Sequence, residues 1–439
     1  MAEEFSPTVA ENLVQNVNSL LHANQVTRIV VDGVLIVGAG PSGLATAACL
    51  ATRNVPYTII ERSDRVGSLW RNRTYDRLHL FLPKQFCQLP LLPMPESYPF
   101  YPCRDQFVSY LDEYADRFQI KPVFNTAVIT AEFVDGIGMW AVSCRRVSRE
   151  DSQQQDSMSV PAACNNHDLL ADHVDVLYLA ERLVIATGEN AEAFMPKLPG
   201  REMYDGKIIH GSQYRNGKAY TNKKVLVVGC GNTGMEVALD LTDFNAKTSL
   251  CIRNEFHVIP RDLLPGLDIS VFEMYVWLNR FLPLWLIDKC LLFLSWMTLG
   301  NTEKYGMRRP RHGGPLELQL KYGKSIVLDP GTVTKVKSGH IKVVPGIEEF
   351  TQTGVQFTNG THEVFDAVIM ATGYRSITPS HIKGSNMFKE NGFPRSPFPN
   401  AWKGEKGLYA VGFSKKGLPG CVHDAEKVAD HIAYDYTTK

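Results

Sequence analysis

Two glycine clusters in this sequence have the spacing that lets a backbone wrap a diphosphate. Gly38-Ala39-Gly40-Pro41-Ser42-Gly43 follows the apolar run VLIV, and Gly229-Cys230-Gly231-Asn232-Thr233-Gly234 follows VLVV, 191 residues later. In a G-x-G-x-x-G turn the glycines permit a tight bend and close backbone approach. The helix that starts there offers unpaired N–H groups and the positive end of its dipole. A lone match often serves only to pack a helix on a strand. Two matches, each between a strand and a helix, make the nucleotide reading specific.

The side chain at the tip of the next strand separates the two sites. Glu61 lies 18 residues beyond Gly43, at the end of YTII. A carboxylate there accepts hydrogen bonds from ribose hydroxyls, as FAD or NAD requires. Arg253 lies 19 residues beyond Gly234, after TSLCI. A guanidinium there pairs with a 2′-phosphate and favours NADPH, against the plainer alternative of a solvated strand-end arginine. Two sites of opposite charge imply two different nucleotides, the arrangement of a flavin reduced by a nicotinamide donor. Two repeats of Ala-Thr-Gly, in LVIATG (183–188) and VIMATG (368–373), add Thr372 and Gly373 to the candidates. Small residues there let the chain cross close to a dinucleotide or link two domains. GLYAVG (407–412), with Asp424 at the start of a last helix expected from about His423, brings a helix N-terminus toward the flavin ring.

Absences narrow the chemistry. The segment RSDRVGSLWR after Glu61 has no cysteine pair, so the dithiol of a disulfide reductase is missing. Nine cysteines without C-x-x-C and twelve histidines without H-E-x-x-H predict no metal site. Electrons reaching this flavin therefore go to oxygen. Basic and acidic residues balance at 46 each, which excludes the basic field of a nucleic-acid binder.

The elements that must position these residues read as an α/β protein of two Rossmann-like dinucleotide-binding domains, the NADPH domain inserted in the FAD domain. The expected division is a polar leader at 1–31, FAD domain at 32–200, NADPH domain at 201–325, and the FAD domain again at 326–439. Acids in the leader argue against a signal peptide and for a cytoplasmic protein. Residues 148–175, rich in Ser, Gln, Asp and Asn, read as a surface loop. Residues 271–299 form the most apolar stretch, interrupted by Glu273, Arg280, Asp288 and Lys289 and broken by Pro283. That pattern predicts two amphipathic helices covering a domain or lining an apolar pocket rather than a transmembrane span, with shallow association with a membrane surface as the lesser alternative. Nothing in the pattern indicates an oligomeric state.

At this point the chain resembles the class B flavin-dependent monooxygenases, and within them the plant YUCCA-type indole-3-pyruvate monooxygenases. The likeness runs from about residue 32 to the end. It rests on the two glycine motifs and on the segment YDGKIIHGSQY (204–214), which is similar to the family's F-x-G-x-x-x-H-x-x-x-[FY] identifier. Narrower marks are LPKQFCQLPLLPMP, ATGENAE, VVGCGNTGMEVALDL, RRPRHGGPLELQLKYGK and GLPGCVHDAEKVADHI. The resemblance implies that Gly38–Gly43, Glu61 and the following Trp70 hold FAD. It implies that Gly229–Gly234 and Arg253 hold NADPH, with His210, Ser212 and Tyr214 helping to seat the nicotinamide nucleotide. It also implies oxidative decarboxylation of indole-3-pyruvate to indole-3-acetate, in auxin biosynthesis, with O2 through a C4a-(hydro)peroxyflavin. The alternatives are a broader N- or S-oxygenating monooxygenase, or a flavoprotein with mainly NADPH oxidase or regulatory activity. Tyr204 replaces the identifier's Phe. Phe81 stands where a polar residue such as Asn or His is expected, so a group that holds the oxygenated flavin is missing there, or the packing differs locally. No side chain is identified as the catalytic acid or base.

Overall fold

The computed structural model describes residues 26–147, 174–263, 269–323 and 326–438. Val34–Val37 is a strand buried along its whole length, as an apolar run without alternation requires in a sheet covered on both faces. It pairs in parallel with Tyr57–Ile60 on one side and Arg182–Ile185 on the other, and Leu408–Ala410 completes this four-stranded sheet. Helix Pro41–Ala51 leaves the first glycine turn with proline at its first position, where the missing N–H costs no hydrogen bond. It packs against the C-terminal helix Gly417–Thr437 through Leu44, Ala48, Ala425 and Val428, all fully buried. The opposite face of the sheet is covered by a mixed sheet, ordered Thr27–Val30, Val176–Ala180, Met139–Arg146, Thr126–Val134 and Ile382–Lys383.

The second glycine turn follows Lys224–Val228, the central strand of a wholly parallel five-stranded sheet. Its order is Ile341–Val344, Lys247–Cys251, Lys224–Val228, Ala367–Met370, Lys207–His210. The chain enters this domain after Arg182–Ile185 and returns to the first sheet at Leu408–Ala410, so the second fold is an insertion in the first. Both connections run side by side: Glu192–Ala193 pairs antiparallel with Tyr374–Arg375.

This pairing corrects the expected division. Ile341–Val344 and Ala367–Met370 lie beyond residue 325 yet hydrogen-bond into the second sheet, so the insertion extends to the ribbon at 374–375. A short apolar run reveals that a strand is buried, not which sheet takes it. The leader also ends sooner, since Thr27–Val30 pairs with Val176–Leu179. The last helix starts at Gly417 rather than His423. Pro419 falls within its first turn, where the N–H groups have no intrahelical acceptor in any case. Residues 1–25 of the leader and 148–173 of the expected loop lie outside the described residues. The apolar stretch forms two helices, Val271–Leu278 and Leu284–Leu299, with Pro283 as the N-cap of the second.

Candidate functional site

Each glycine turn is shaped by what a side chain would strike. Gly38 (φ +106°) lies against the carbonyl of Ala186, where a Cβ would sit 2.7 Å from the oxygen. A Cβ on Gly43 would sit 1.9 Å from the carbonyl oxygen of Gly38. Gly40 faces open space instead, with nothing within 4 Å of its Cβ position. The second turn repeats this. Gly229 (φ +110°) lies against Ala371 at 2.5 Å, Gly234 against Gly229 at 2.0 Å, and Gly231 is open. The outer glycines of each motif therefore close the turn, and the middle one leaves room for a ligand's backbone-close approach. Both Ala-Thr-Gly repeats supply the carbonyl that crosses beneath the turn.

Glu61 is fixed as its spacing suggested. Its carboxylate accepts the Ala39 N–H at 2.7 Å and the Ser63 N–H at 2.9 Å, which holds both oxygens beside the first turn. Gly38, Gly40, Pro41, Ser42, Glu61 and Trp70 line one cavity of about 700 Å³; Ala39 and Gly43 support it from behind. Ser42 Oγ donates to Cys421 Sγ at 3.2 Å, tying the turn to the start of the C-terminal helix, whose Gly417, Leu418 and Cys421 form another wall. Gly412 N–H donates to Asp424 at 3.2 Å, which anchors that crossing. A helix N-terminus, a carboxylate hydrogen-bonded to the glycine turn, and a largely apolar cavity of this size fit FAD.

The second set is arranged differently. Gly229–Gly234 and Arg253 do not line that cavity; they stand on an open face of the inserted domain, with Arg253 exposed at its strand tip. An open turn, a helix N-terminus and an uncovered guanidinium fit a phosphorylated nucleotide that comes and goes. Asn232 Oδ1 accepts the Leu328 N–H at 2.9 Å, and burial pushes the Cys230 thiol up to about 12, so Cys230 is a neutral packing group.

His210, Ser212 and Tyr214 act as support. His210 Nε2–H donates to the Gly373 carbonyl at 3.0 Å, and the Ser212 N–H donates to Nδ1 at 3.1 Å, which sets the tautomer. Burial drives the ring's pKa down to about 4. Tyr214 is fully enclosed, and its hydroxyl donates to Asp240 at 2.6 Å, so it has no face left for a nucleotide. Thr372 and Gly373 hold Phe194 at the base of the connecting ribbon, through the Thr372 hydroxyl and the Gly373 carbonyl, and do not line the cavity.

Three features escaped the sequence. Glu189, in the first Ala-Thr-Gly loop, lines the cavity, and burial raises its carboxyl to about 7 while Lys415 opposes the rise. Its Oε2 is enclosed without a hydrogen-bond partner. Arg73 lines the same cavity and donates to the Ala191 carbonyl at 2.9 Å. Tyr75 crosses between domains, its hydroxyl donating to buried Glu236 Oε2 at 2.6 Å. Beside it, Arg215 donates to the Thr74 carbonyl at 3.2 Å, and Arg77 pairs with Asp243. The segment after Trp70 is thus clamped to the inserted domain. Phe81 lines the cavity and also packs on the core of that domain. An apolar ring at this junction is consistent with local packing and places no hydrogen-bonding group there.

The model of the flavin-binding monooxygenase-like family matches residues 32–386. A probable indole-3-pyruvate monooxygenase of Arabidopsis thaliana, YUCCA8, is 49% identical over 92% of this chain and 89% of its own length. The indole-3-pyruvate monooxygenase YUCCA4 of Oryza sativa subsp. japonica is 48% identical over 92% and 87%. Among solved structures, the flavin-containing monooxygenase from Stenotrophomonas maltophilia shares the fold with a TM-score of 0.65, at 20% identity, covering 93% of this chain and 99% of that one.

Two outcomes check this geometry. Gly40→Ala is expected to fold with an unchanged melting temperature as apoprotein while losing most of its flavin retention. Gly43→Ala is expected to lower the melting temperature itself by several degrees, roughly what 1–3 kcal/mol of overpacking produces. Equal behaviour of the two variants, read by thermal melts and bound-flavin absorbance, would remove the distinction between a ligand-facing and a turn-closing glycine. Neutral His210 makes stability acid-sensitive. Its folded pKa lies below the unfolded value of about 6.5, so its contribution is complete above that pH and is lost as pH falls toward 4, at up to about 1.4 kcal/mol per unit. Urea unfolding across this window should be steeper in the wild type than in His210→Asn, and parallel slopes would contradict a buried neutral ring.

Proposed function

This chain belongs to the flavin-binding monooxygenase-like family, and from that premise we propose that it converts indole-3-pyruvate to indole-3-acetate and carbon dioxide, consuming NADPH and O2. The observation that carries the reading is the pairing of two phosphate-cradling turns with opposite strand tips, Glu61 in the wall of a cavity of about 700 Å³ and Arg253 on an open face. The keto acid is supported by relatives named for it, 45–49% identical to this chain over at least nine-tenths of its length. A cytoplasmic setting belongs to the same reading; the eight described cysteines are all unpaired, which suits a reducing compartment.

Held by the first glycine turn and Glu61, FAD would supply the redox chemistry, hydride acceptance and O2 activation. The chain supplies placement. Ala39 and Ser63 fix the Glu61 carboxylate for the ribose, and the turn and helix Pro41–Ala51 take the diphosphate. Arg253 selects the phosphorylated donor by its charge. Trp70, Phe81 and Leu418 give the wall an apolar part that disfavours water beside a bound flavin. Glu189 is a carboxyl that can hold or release a proton near neutral pH.

Flavin-loaded protein supplied with NADPH, O2 and indole-3-pyruvate, with catalase present to remove free peroxide that would itself decarboxylate a 2-keto acid, is expected to form indole-3-acetate and carbon dioxide, each at one equivalent per NADPH oxidised. NADPH oxidation under catalase with the keto acid recovered intact, and one equivalent of hydrogen peroxide per NADPH when keto acid and catalase are both left out, would reject the proposal in favour of an NADPH oxidase. Oxygenation of amines or thioethers in preference to the keto acid would establish the broader monooxygenase instead.

A further inference from the structure

Helix Leu284–Leu299 carries large apolar side chains on its outer side as well as its inner one. Its inner face, with Ile287, Leu291, Ser295 and Leu299, is buried against the inserted domain. Its outer face carries Trp285, Phe293, Trp296 and Met297, spaced so that all four fall on one side of an α-helix. The end of helix Val271–Leu278 and the turn after it add Trp277 and Phe281, whose ring centroids lie 5.5 Å apart. These six side chains are 59–70% exposed. Large apolar side chains exposed together in this number mark an interaction site. Three of the chain's six tryptophans stand on it.

The four charged residues of the segment 271–299 sort by side. Both acids are engaged within the protein. Asp288 accepts the N–H groups of Leu316 and Glu317 at 2.8 and 3.1 Å, and Glu273 accepts the Ser270 N–H at 3.2 Å and is bonded to Gln85. Both bases are exposed: Arg280 lies in the chain between Trp277 and Phe281, and Lys289 lies over the Trp285 ring at 4.9 Å. The outer face therefore combines indole rings with cations and presents no carboxylate from these helices.

We propose that this face docks on an anionic phospholipid bilayer. Indole rings are stable at the depth of the headgroups, and lysine and arginine reach past an apolar surface to phosphate or serine carboxylate. A second copy of this chain fits less well, because a twofold interface would set the face with Arg280 and Lys289 against the same cations. The contact is superficial. At 16 residues, helix Leu284–Leu299 is about 24 Å long, short of the ~30 Å hydrocarbon thickness. Among the described residues no helix is long and apolar enough to cross a membrane.

The test uses the flavin-loaded full chain and vesicles of phosphatidylcholine, with or without phosphatidylserine. The protein is expected to sediment with the phosphatidylserine vesicles, with tryptophan emission shifted to the blue, and to be released by salt. Substituting Trp285, Phe293 and Trp296 together by Ser is expected to lower the bound fraction on the order of tenfold or more, and Lys289→Glu to weaken binding only where phosphatidylserine is present. In case the triple variant does not fold, quenching of the wild-type tryptophans by lipids brominated near the headgroup gives a second readout. No sedimentation with either vesicle, no quenching, or undiminished binding by a folded triple variant would overturn the proposal. So would a stable dimer, seen by light scattering, that the triple variant converts to monomer.

Discussion

In both nucleotide folds a strand end crosses beneath a glycine turn so closely that no side chain fits between them. At Gly38 and Gly229 the crossing carbonyls of Ala186 and Ala371 would lie within 2.7 Å of any Cβ. That contact fixes where the following helix starts and therefore where its unpaired N–H groups point. It also explains why Ala-Thr-Gly recurs: the alanine methyl is small enough to pass below the turn, and Gly188 and Gly373 then reverse the chain at φ +80° and +84°. The nucleotide sites follow from backbone packing before any ligand chemistry is considered.

From this shared frame the two sites diverge by one residue each. Glu61 turns back to the first turn and accepts two N–H groups, becoming part of the cavity wall. Arg253 cannot accept such a bond and stays exposed. The cavity, walled by three parts of the first fold, suits a resident cofactor, and the open face suits a donor that exchanges at every turnover. Between them the segment carrying Thr74, Tyr75 and Arg77 is tied to the inserted domain by Arg215, Glu236 and Asp243. The clamp grips the chain just after cavity-lining Trp70, so the geometry of the flavin cavity depends on how the inserted domain sits.

Features that depend on local spacing were legible in the sequence. The glycine turns, Glu61, Arg253 at its strand tip and the helix break at Pro283 all follow from neighbours within about 20 residues. Features that depend on assembly were not. Ile341–Val344 and Ala367–Met370 carry no mark of which sheet they join. Tyr214, which the resemblance assigned to the nucleotide, is enclosed by the Asp240 helix. Glu189 and Arg73 share one cavity although 116 positions separate them, and no periodicity connects two loops.

The most direct test of a flavin in one fold charged by NADPH on the other is the anaerobic half-reaction. Flavin-loaded protein is mixed rapidly with NADPH or with NADH, and the visible flavin band is followed. The account predicts bleaching whose rate saturates with NADPH, while NADH at equal concentration is slower by tenfold or more, the expected order for losing one guanidinium–phosphate pair. A protein that carries no yellow chromophore, or one that bleaches equally with both donors, would contradict it.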